Sequence, residues 1–420
     1  MANFLSFPSS GFARSDRRTP LTILAGKAPG VRADVVAAVL ESEISVVVVQ
    51  HDLSGLREQN RVRRLVIDWT GVLEDETFEL EHGCVSCTMR EDVMPTIARL
   101  ADIGRWDFIV LALPDVIEPD GVVDALAHFE VGATPLAENV RIDSVVTLVD
   151  TATFIADLET TDDLSDRGIA AAAEDGRSIA EVVARQVEAS DTVVIGGNEG
   201  MDSHNVARVG ILVEHLNPLA AQLMVRTLGV GDLLGTSRHD ATTYFQRWEP
   251  GVLRPSACTC ACGVSTVVWR ARRPFHAERL HHALSELVGP ILRGRGHIWL
   301  ATRPRTLLQW ETAGGGLALT PASAWLAGAP DKAWSQITPL RRTVATMAWD
   351  PYYGDREQAL SFTGIDLDHK EITMTLDHCL LTDDELCEGE AAWRSLADPF
   401  ADFLDPEDEF LASLAPFLAS

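Results

Sequence analysis

Short hydrophobic runs alternate with helical patterns along the first half of the chain. The runs are rich in Val, Ile and Leu and cover residues 21–25, 46–50, 64–69, 108–113, 144–150 and 192–195. Residues 88–101 and 179–189 have apolar positions at helical spacing, whereas 122–127 is apolar but fits either element. Near-continuous apolar strands separated by helices are typical of a parallel sheet covered on both faces. We therefore predict an α/β domain.

The pattern changes after about residue 230. Residues 229–262 predict a connector, which is followed by strands at 264–270, 298–301, 307–311 and 359–363 and by helices at 277–287 and 372–380. Segregated strands and helices indicate an α+β domain whose helices pack on one sheet face. The predicted organisation is a leader (1–20), an α/β domain (21–230), a linker (231–262), a smaller α+β domain (263–400) and an acidic tail (401–420).

Composition excludes several classes of protein. With 46% hydrophobic and 23% charged residues among 420, the chain is ordinary for a globular protein. No run approaches the roughly 18 apolar residues of a membrane span. The net charge of −27 argues against binding nucleic acid through the whole surface, and seven scattered cysteines argue against a secreted disulfide scaffold. We predict a cytoplasmic protein with no membrane partner and no sequence-specific DNA binding.

Charge is unevenly distributed in the second half. Residues 383–420 contain eleven acids and one base, whereas residues 269–305 contain eight arginines and two glutamates. The arginine-rich segment is either a partner surface or a solvated face that aids solubility. Under the first interpretation, the candidate partner-surface residues are Arg270, Arg272, Arg273, Arg293 and Arg295.

A glycine-containing turn follows the first predicted strand and precedes a helical pattern. A strand, such a turn and a helix form the phosphate-binding P-loop, whose sequence is G-x-x-x-x-G-K-[ST]. Residues 26–33 read GKAPGVRA, so the lysine and the Mg²⁺-binding hydroxyl are replaced by Arg32 and Ala33. Gly26, Lys27, Gly30 and Arg32 are the candidate nucleotide-binding residues, but a turn retained only for the fold is the alternative that the sequence favours.

Cys84 and Cys87 stand at C-x-x-C spacing next to His82, directly before the second predicted helix. Thr88, with Glu91 three residues later, predicts a capping box at the start of that helix. A helix N-terminus stabilises thiolates, and thiolates select zinc or copper(I) over magnesium. The alternatives are a redox pair or two inert buried cysteines.

Three further thiols alternate in the predicted linker, at Cys258, Cys260 and Cys262. Since a zinc site usually needs four ligands, these thiols could complete a site at Cys84 and Cys87 if the linker folds over the first domain. An unstructured reactive stretch is the alternative. The sequence contains no G-x-S-x-G, H-E-x-x-H or dinucleotide motif, so we name no catalytic residue.

Several segments together resemble the CobW-type P-loop GTPase family. Residues 83–92 (GCVSCTMRED) are similar to its GCICC-T-x-R-x-D segment. Similarity to the CobW C-terminal domain extends over residues 273–280 (RPFHAERL), 295–301 (RGHIWLA), 313–316 (AGGG), 353–356 (YGDR) and 380–385 (LLTDDE). The resemblance spans about residues 20–400 and implies a metal-trafficking GTPase whose thiolates bind zinc or another divalent metal, with GTP and Mg²⁺ as cofactors.

This chain departs from the family at several motifs. Ser86 replaces the middle cysteine, residues 196–199 (GGNE) replace the guanine-reading N-K-x-D, and residues 114–119 (PDVIEP) replace the acidic element after the fourth predicted strand. Together with the altered turn, these departures predict that GTP turnover is lost or changed, so the sequence does not decide whether the protein is an enzyme.

The same set of departures resembles an actinobacterial subgroup that recruits a ribosome hibernation factor when zinc is scarce. This resemblance implies a zinc-responsive adaptor with the ribosome or a hibernation factor as partner, and an arginine segment that faces ribosomal RNA or an acidic partner. The alternative from the enzyme class is a GTP-hydrolysing metallochaperone that delivers zinc to a client protein. A third possibility is a fold-retaining pseudo-GTPase with structural cysteines.

Overall fold

The structure is a computed structural model and describes residues 16–80, 88–131, 134–172, 175–197, 200, 202–253, 260–327, 329 and 331–414. Within these residues, an eight-stranded sheet is followed by a five-stranded sheet. No helix in these ranges is long and apolar enough to cross a membrane.

The first sheet has the order β10-β9-β8-β1-β5-β2-β3-β4. Its strands are β1 (Thr19–Ala25), β2 (Val46–Asp52), β3 (Arg61–Asp68), β4 (Gly71–Glu79), β5 (Phe108–Ala112), β8 (Val140–Asp150), β9 (Thr192–Gly196) and β10 (Ala221–Met224); a separate short ribbon contains β6 (Glu130–Val131) and β7 (Thr134–Pro135). All six predicted strands are present. The predicted parallel pairing is confirmed for β1, β2, β5, β8, β9 and β10.

The prediction of an all-parallel sheet is wrong at one edge, where β3 and β4 run antiparallel to their neighbours. β4 is mostly exposed and carries acidic residues, so it has no hydrophobic run from which a strand could be predicted. Ion pairs help to hold it to β3: Arg61 lies 2.7 Å from Glu79, and Arg63 lies 2.7 Å from Asp75. Cross-strand opposite charges of this kind stabilise an antiparallel pair.

Helices cover both faces of this sheet. They are α1 (Pro29–Leu40), α2 (Leu56–Gln59), α3 (Met94–Ile103), α4 (Pro119–His128), α5 (Phe154–Glu159), α6 (Ile179–Glu188), α7 (Ser203–Leu216) and, within the predicted connector, α8 (Ala241–Gln246). Alternate strand residues point into two separate cores: Ile23 and Val47 into one, Leu24 and Val48 into the other. The sheet is therefore buried on both faces, as continuous apolar strands require.

The helix after the cysteine pair begins differently from the prediction. A π-helical turn, Met89–Val93, precedes α3, and Thr88 has helical dihedral angles with no side-chain capping bond. The predicted capping box at Thr88 and Glu91 is therefore wrong. Thr88 has helical dihedral angles, whereas the N-cap residue of a capping box has an extended conformation.

The second sheet is antiparallel, with the order β11-β15-β12-β13-β14. Its strands are β11 (Val264–Ala271), β12 (Arg293–Ile298), β13 (Thr306–Ala313), β14 (Gly316–Ala324) and β15 (Gln358–Ile365). The helices are α9 (Ala277–Val288), α10 (Asp331–Gln336), α11 (Pro339–Met347), α12 (His369–His378), α13 (Asp383–Cys387), α14 (Glu390–Trp393) and α15 (Glu407–Leu414). α9 and α12 contribute Leu280 and Leu376 to the core of this sheet.

The strand predicted at 298–301 is misplaced. The strand is β12, whose charged and glycine residues gave no apolar pattern, and the chain leaves the sheet after Ile298. Trp299 is nevertheless buried, because its ring packs in a small core separate from the main core of this sheet. Its backbone N–H donates to the Gln358 side chain at 2.8 Å. The apolar run at residues 298–301 therefore indicated buried residues and not a strand.

Candidate functional site

The turn between β1 and α1 is short and consists of residues 26–28. Gly26 has φ +118°, and a Cβ atom there would lie 2.2 Å from the Leu148 carbonyl oxygen of β8. The close approach of β8 therefore requires glycine at this position. Gly30 is the second residue of α1, and a Cβ atom there would meet nothing within 4 Å. The second candidate glycine is thus an ordinary helical residue, not part of a loop that wraps a phosphate.

Lys27 already has an anionic partner. Its Nζ lies 2.9 and 3.1 Å from the two carboxylate oxygens of Asp157, which is nearly buried on α5. The cavity beside Lys27 has a volume of only about 10 Å³. That space suits about one water molecule.

Arg32 is also held inside the protein. Its Nη2 donates to the Gly26 carbonyl oxygen at 2.5 Å and lies 2.5 Å from Oδ1 of Asp115. Asp115 belongs to residues 114–119, the segment after β5 that carries the altered acidic element. Arg32 therefore ties the turn to that segment, and its charge is already compensated.

These contacts decide what the turn can bind. Two aspartates would have to give up their cations before a triphosphate could use Lys27 and Arg32, and both carboxylates would repel it. Pro29 removes one N–H donor at the start of α1, and the exposed Ala33 offers no oxygen to a metal. The residues present do not fit a Mg²⁺-triphosphate.

The segment after β5 carries further buried acids. Burial raises the pKa of Glu118, which lies 3.2 Å from Arg177, and burial also raises the pKa of Asp120 to about 6. The hydroxyl of Tyr244, on α8, donates to Asp120 at 2.5 Å. This contact packs the predicted connector against the first sheet domain, and the motif pattern gave no indication of it.

A polar cavity of about 270 Å³ opens at the carboxyl ends of β2 and β5, next to Arg32. His51 lines it, and its Nε2 donates to Asp92 at 2.7 Å. Asp92 follows Cys87 by five residues and also contacts Arg64, which lies 2.6 Å from Glu76. This buried His51–Asp92–Arg64 cluster fixes the segment that follows the cysteine pair. Sequence reasoning missed the cluster, although His51 ending an apolar strand was a visible signal.

The cysteine predictions are mostly untested. Cys84, Cys87 and Cys258 lie outside the described residues. Cys260 is exposed, and Cys262 is half-buried with φ +52°, while its carbonyl accepts a hydrogen bond from Arg208 at 3.0 Å. Among the described residues, no group of three or more His, Cys, Asp or Glu side chains is arranged to hold a metal ion.

The arginines predicted as a partner surface have partners within the chain. Arg270 and Arg272 lie 3.1 and 3.9 Å from Glu357, and Arg273 contacts Asp383. Arg295 lies 3.4 Å from Glu188 and is partly exposed. Arg293 is 2% exposed and is bonded to Glu188 and Glu311, so the prediction that it faces a partner is wrong: its charge is buried between the two sheets.

Acidic residues near the C-terminus supply much of this compensation. Asp383, Glu385, Asp398 and Glu407 contact Arg273, Arg279, Arg303 and Arg305, respectively. The acidic and basic segments recognised in the sequence therefore bind each other, at least within residues 270–408. This pairing leaves less free positive charge than the composition of the basic segment indicated.

Two parts of the chain match described protein families. Residues 31–223 match the CobW/HypB/UreG nucleotide-binding domain, and residues 264–380 match the cobalamin synthesis protein cobW C-terminal domain. The first match begins after the glycine turn, at a residue already inside α1.

Relatives align with nearly the whole chain. Zinc chaperone Rv0106 of Mycobacterium tuberculosis is 31% identical over 403 residues, which cover 92% of this chain and 94% of that protein. Zinc-regulated GTPase metalloprotein activator 1 of Dictyostelium discoideum is 27% identical over 418 residues, which cover 94% and 86%. Among solved structures, the Zn(II)-bound YjiA GTPase from E. coli aligns with 87% of this chain and all of its own, at 13% identity and a TM-score of 0.39.

Proposed function

Since the chain belongs to the CobW/HypB/UreG nucleotide-binding family and carries the CobW C-terminal domain, we propose that it is a zinc-handling protein. It binds zinc through Cys84 and Cys87 and does not hydrolyse GTP at the β1–α1 turn. The proposal has a metal half and a nucleotide half, which rest on different evidence.

The nucleotide half rests on one observation, the internal pairing of the two cations at the β1–α1 junction, one in the turn and one in α1. Lys27 is paired with Asp157 and Arg32 with Asp115, and Ala33 lacks the hydroxyl that would bind Mg²⁺. A phosphate-binding turn needs uncompensated N–H groups and a free cation. Here the cations instead fasten the turn to α5 and to the segment after β5.

The metal half is supported by the donor set and by the relatives. Two thiols at C-x-x-C spacing form a soft donor pair that suits zinc, and relatives that align with more than 90% of the chain are named for zinc. The His51–Asp92–Arg64 cluster supports the same proposal, because it anchors the segment directly after Cys87. Cys258, Cys260 and Cys262 are the candidates for further ligands.

One purified sample tests both halves. We expect about one zinc per chain by elemental analysis of the reduced protein, and no magnesium-dependent phosphate release from GTP. Cys84→Ser/Cys87→Ser should lose the zinc, whereas the matched control Cys387→Ser, at an exposed thiol of α13, should retain it. Equal zinc in all three proteins would contradict the metal half.

The GTP-hydrolysing zinc metallochaperone is the second candidate, and the relative named a zinc-regulated GTPase favours it. Its signature is GTP turnover that Arg32→Ala abolishes, since Arg32 is the cation at the position of the P-loop lysine. Turnover insensitive to Arg32→Ala would instead point to a contaminating enzyme.

Recruitment of a ribosome hibernation factor is a finer proposal within the zinc-handling role. The arginines named for it are paired with carboxylates of the same chain, so such a partner would have to compete with Glu357 and Asp383. A pull-down from zinc-starved cells should recover ribosomal proteins or a hibernation factor if this proposal holds. Recovery of a zinc-dependent client enzyme alone would replace it with metal delivery.

A further inference from the structure

β4 lies at an edge of the first sheet. Among the strands that the structure describes, it pairs with β3 on one side and with no strand on the other. Backbone N–H and C=O groups that point away from the sheet at such an edge can pair with an added strand. β4 covers nine residues, which is longer than the typical strand of about five or six. It therefore offers a long edge for strand addition.

Apolar side chains are exposed at the start of this edge. Val72 and Leu73 begin β4, and Trp69 lies in the turn that joins β3 to β4. Their exposed fractions are 61%, 37% and 50%, respectively. The guanidinium of Arg105 lies 5.2 Å from the centre of the Trp69 ring. Single exposed apolar residues are normal on a protein surface, but a group of neighbours marks an interaction site.

The rest of β4 is acidic and contains no base; its acids are Glu74, Asp75, Glu76 and Glu79. Arginines of β3 pair with them from the inner side, yet the side chains of Asp75, Glu76 and Glu79 stay 46%, 61% and 66% exposed. Glu76 shares Arg64 with Glu74 and with the buried Asp92. Its charge is therefore only partly compensated within the chain.

These charges decide which strand fits the edge. Opposite charges directly across a strand pair are stabilising, and like charges are destabilising. In a symmetric pair of two β4 strands centred on Asp75, Glu74 of each copy would face Glu76 of the other. The net charge of −27 would add repulsion between two copies of the chain. A basic segment would instead extend the order across the sheet, with arginines on β3, acids on β4 and bases on the partner.

We propose that the outer edge of β4 binds an extended basic segment of a partner protein, which adds to the first sheet as a further strand. In this mode of recognition, main-chain hydrogen bonds supply affinity and side chains supply specificity. Lysine or arginine side chains of the partner pair with Glu76 and Glu79, and an apolar side chain packs on Val72 and Leu73. The proposal does not depend on binding of zinc or of a nucleotide.

Fluorescence anisotropy with the full chain tests this proposal. The probe is a labelled peptide of alternating lysine and valine, about seven residues long, at about 150 mM salt. We expect saturable binding of this peptide and no binding of a glutamate–valine peptide of the same length. Absence of saturable binding of the lysine–valine peptide would overturn the proposal.

A second peptide separates strand addition from attraction by charge. Methylation of alternate backbone nitrogens keeps the charge of the lysine–valine peptide but removes hydrogen-bond donors, so the methylated peptide should bind at least about tenfold more weakly. Equal binding of the two peptides would overturn strand addition.

Two double variants test the place of binding. Glu76→Gln/Glu79→Gln should weaken binding of the lysine–valine peptide by about fivefold. Asp383→Asn/Asp408→Asn is the matched control, because it also removes two exposed acids that pair with arginines, but those arginines belong to the second domain. The control should bind the peptide like the wild type.

Equal weakening in the two double variants would show that the net charge of the chain, and not β4, attracts the peptide, and would overturn the proposal. Sedimentation of the chain with and without the peptide tests the other occupant of the edge. A dimer of the chain alone that dissociates when the peptide binds would assign the edge to a second copy and overturn the proposal as well.

Discussion

Arg293 of β12 donates to both carboxylate oxygens of Glu188, the last residue of α6, at 2.8 and 2.9 Å. The two residues are 2% and 3% exposed and belong to different domains. Arg293 also donates to Glu311 at 2.8 Å, and Arg185 lies 3.1 Å from the same oxygen. A buried ion network therefore joins the helix that packs against residues 115–117 to the second sheet, since Gln186 of α6 donates to the Asp115 and Ile117 carbonyls.

Breaking this network should be costly. Arg293→Met leaves Glu188 buried without its main cation, and we expect the free energy of unfolding to fall by about 3–5 kcal/mol. Arg293→Met/Glu188→Gln should lose less than the sum of the two single variants, because it leaves no uncompensated charge at that pair. Chemical denaturation measures all three variants.

Arg61→Met is the control for this experiment, since Arg61 forms an exposed pair with Glu79. An exposed pair contributes below about 1 kcal/mol. If Arg293→Met lowers the free energy of unfolding no more than Arg61→Met does, the domains are not joined by this network.

Gly26 of the turn and Gly30 of α1 should respond oppositely to alanine. Gly26→Ala places a Cβ atom 2.2 Å from the Leu148 carbonyl at a positive φ, so we expect a loss of several kcal/mol in the free energy of unfolding. Gly30→Ala fills open space within α1 and should stabilise by about 0.5–1 kcal/mol. Thermal and chemical unfolding of the two variants measure both changes in stability. Similar losses in both variants would mean that Gly30 also has a conformation only glycine can adopt.

Stability should depend on pH through Asp120. Its pKa is about 6 in the folded protein against an ordinary value of 3.8, because burial disfavours the carboxylate. The stabilisation from the protonated form is complete below about pH 3.8 and is lost as the pH rises through about 6. Asp120→Asn should therefore raise the free energy of unfolding at pH 7 but not at pH 4, by about 2–3 kcal/mol.

Denaturation of the wild type and Asp120→Asn at both pH values checks this prediction. Tyr244→Phe serves as a comparison, since it removes the hydroxyl that donates to Asp120 but leaves the carboxyl buried. An equal change in the free energy of unfolding at the two pH values would show that the stabilisation by Asp120→Asn does not come from the titration of Asp120.

Releasing the two cations at the β1–α1 junction should increase affinity for phosphates. Asp115→Asn/Asp157→Asn removes the carboxylates that hold Arg32 and Lys27. We expect binding of a guanine nucleotide to strengthen by at least about tenfold relative to the wild type, because each cation that no longer pairs with a carboxylate can contribute about one to two kcal/mol to phosphate binding. Without the Mg²⁺-binding hydroxyl, hydrolysis should stay absent.

Fluorescent-nucleotide titration measures this gain. Asp75→Asn is the control, at the exposed pair with Arg63. It removes one negative charge, as each of the other two substitutions does, but it lies away from the turn and should not change nucleotide affinity. Unchanged affinity in Asp115→Asn/Asp157→Asn would show that the shape of the turn, and not the pairing of its cations, excludes the nucleotide.

Parts of the fold that are set by local pattern were predicted correctly. Continuous apolar strands such as β1 and β5 must be buried on both faces, so their sequence alone indicates an α/β sheet. β4 and β12 could not be predicted in the same way. Their exposed acids and their glycine and arginine residues are stabilised by partners on neighbouring strands, which a single segment does not reveal.

The sequence by itself determined that the turn lacks the P-loop lysine and hydroxyl, that thiols stand at C-x-x-C spacing and that acids and arginines are segregated near the C-terminus. Only the tertiary structure decided which charges meet. Lys27 reaches Asp157 across 130 positions of the chain, and Arg293 reaches Glu188 across 105. Ion pairs act over a few ångströms of space whatever the distance along the chain, so packing decides whether a charged residue is buried and paired or free for a ligand.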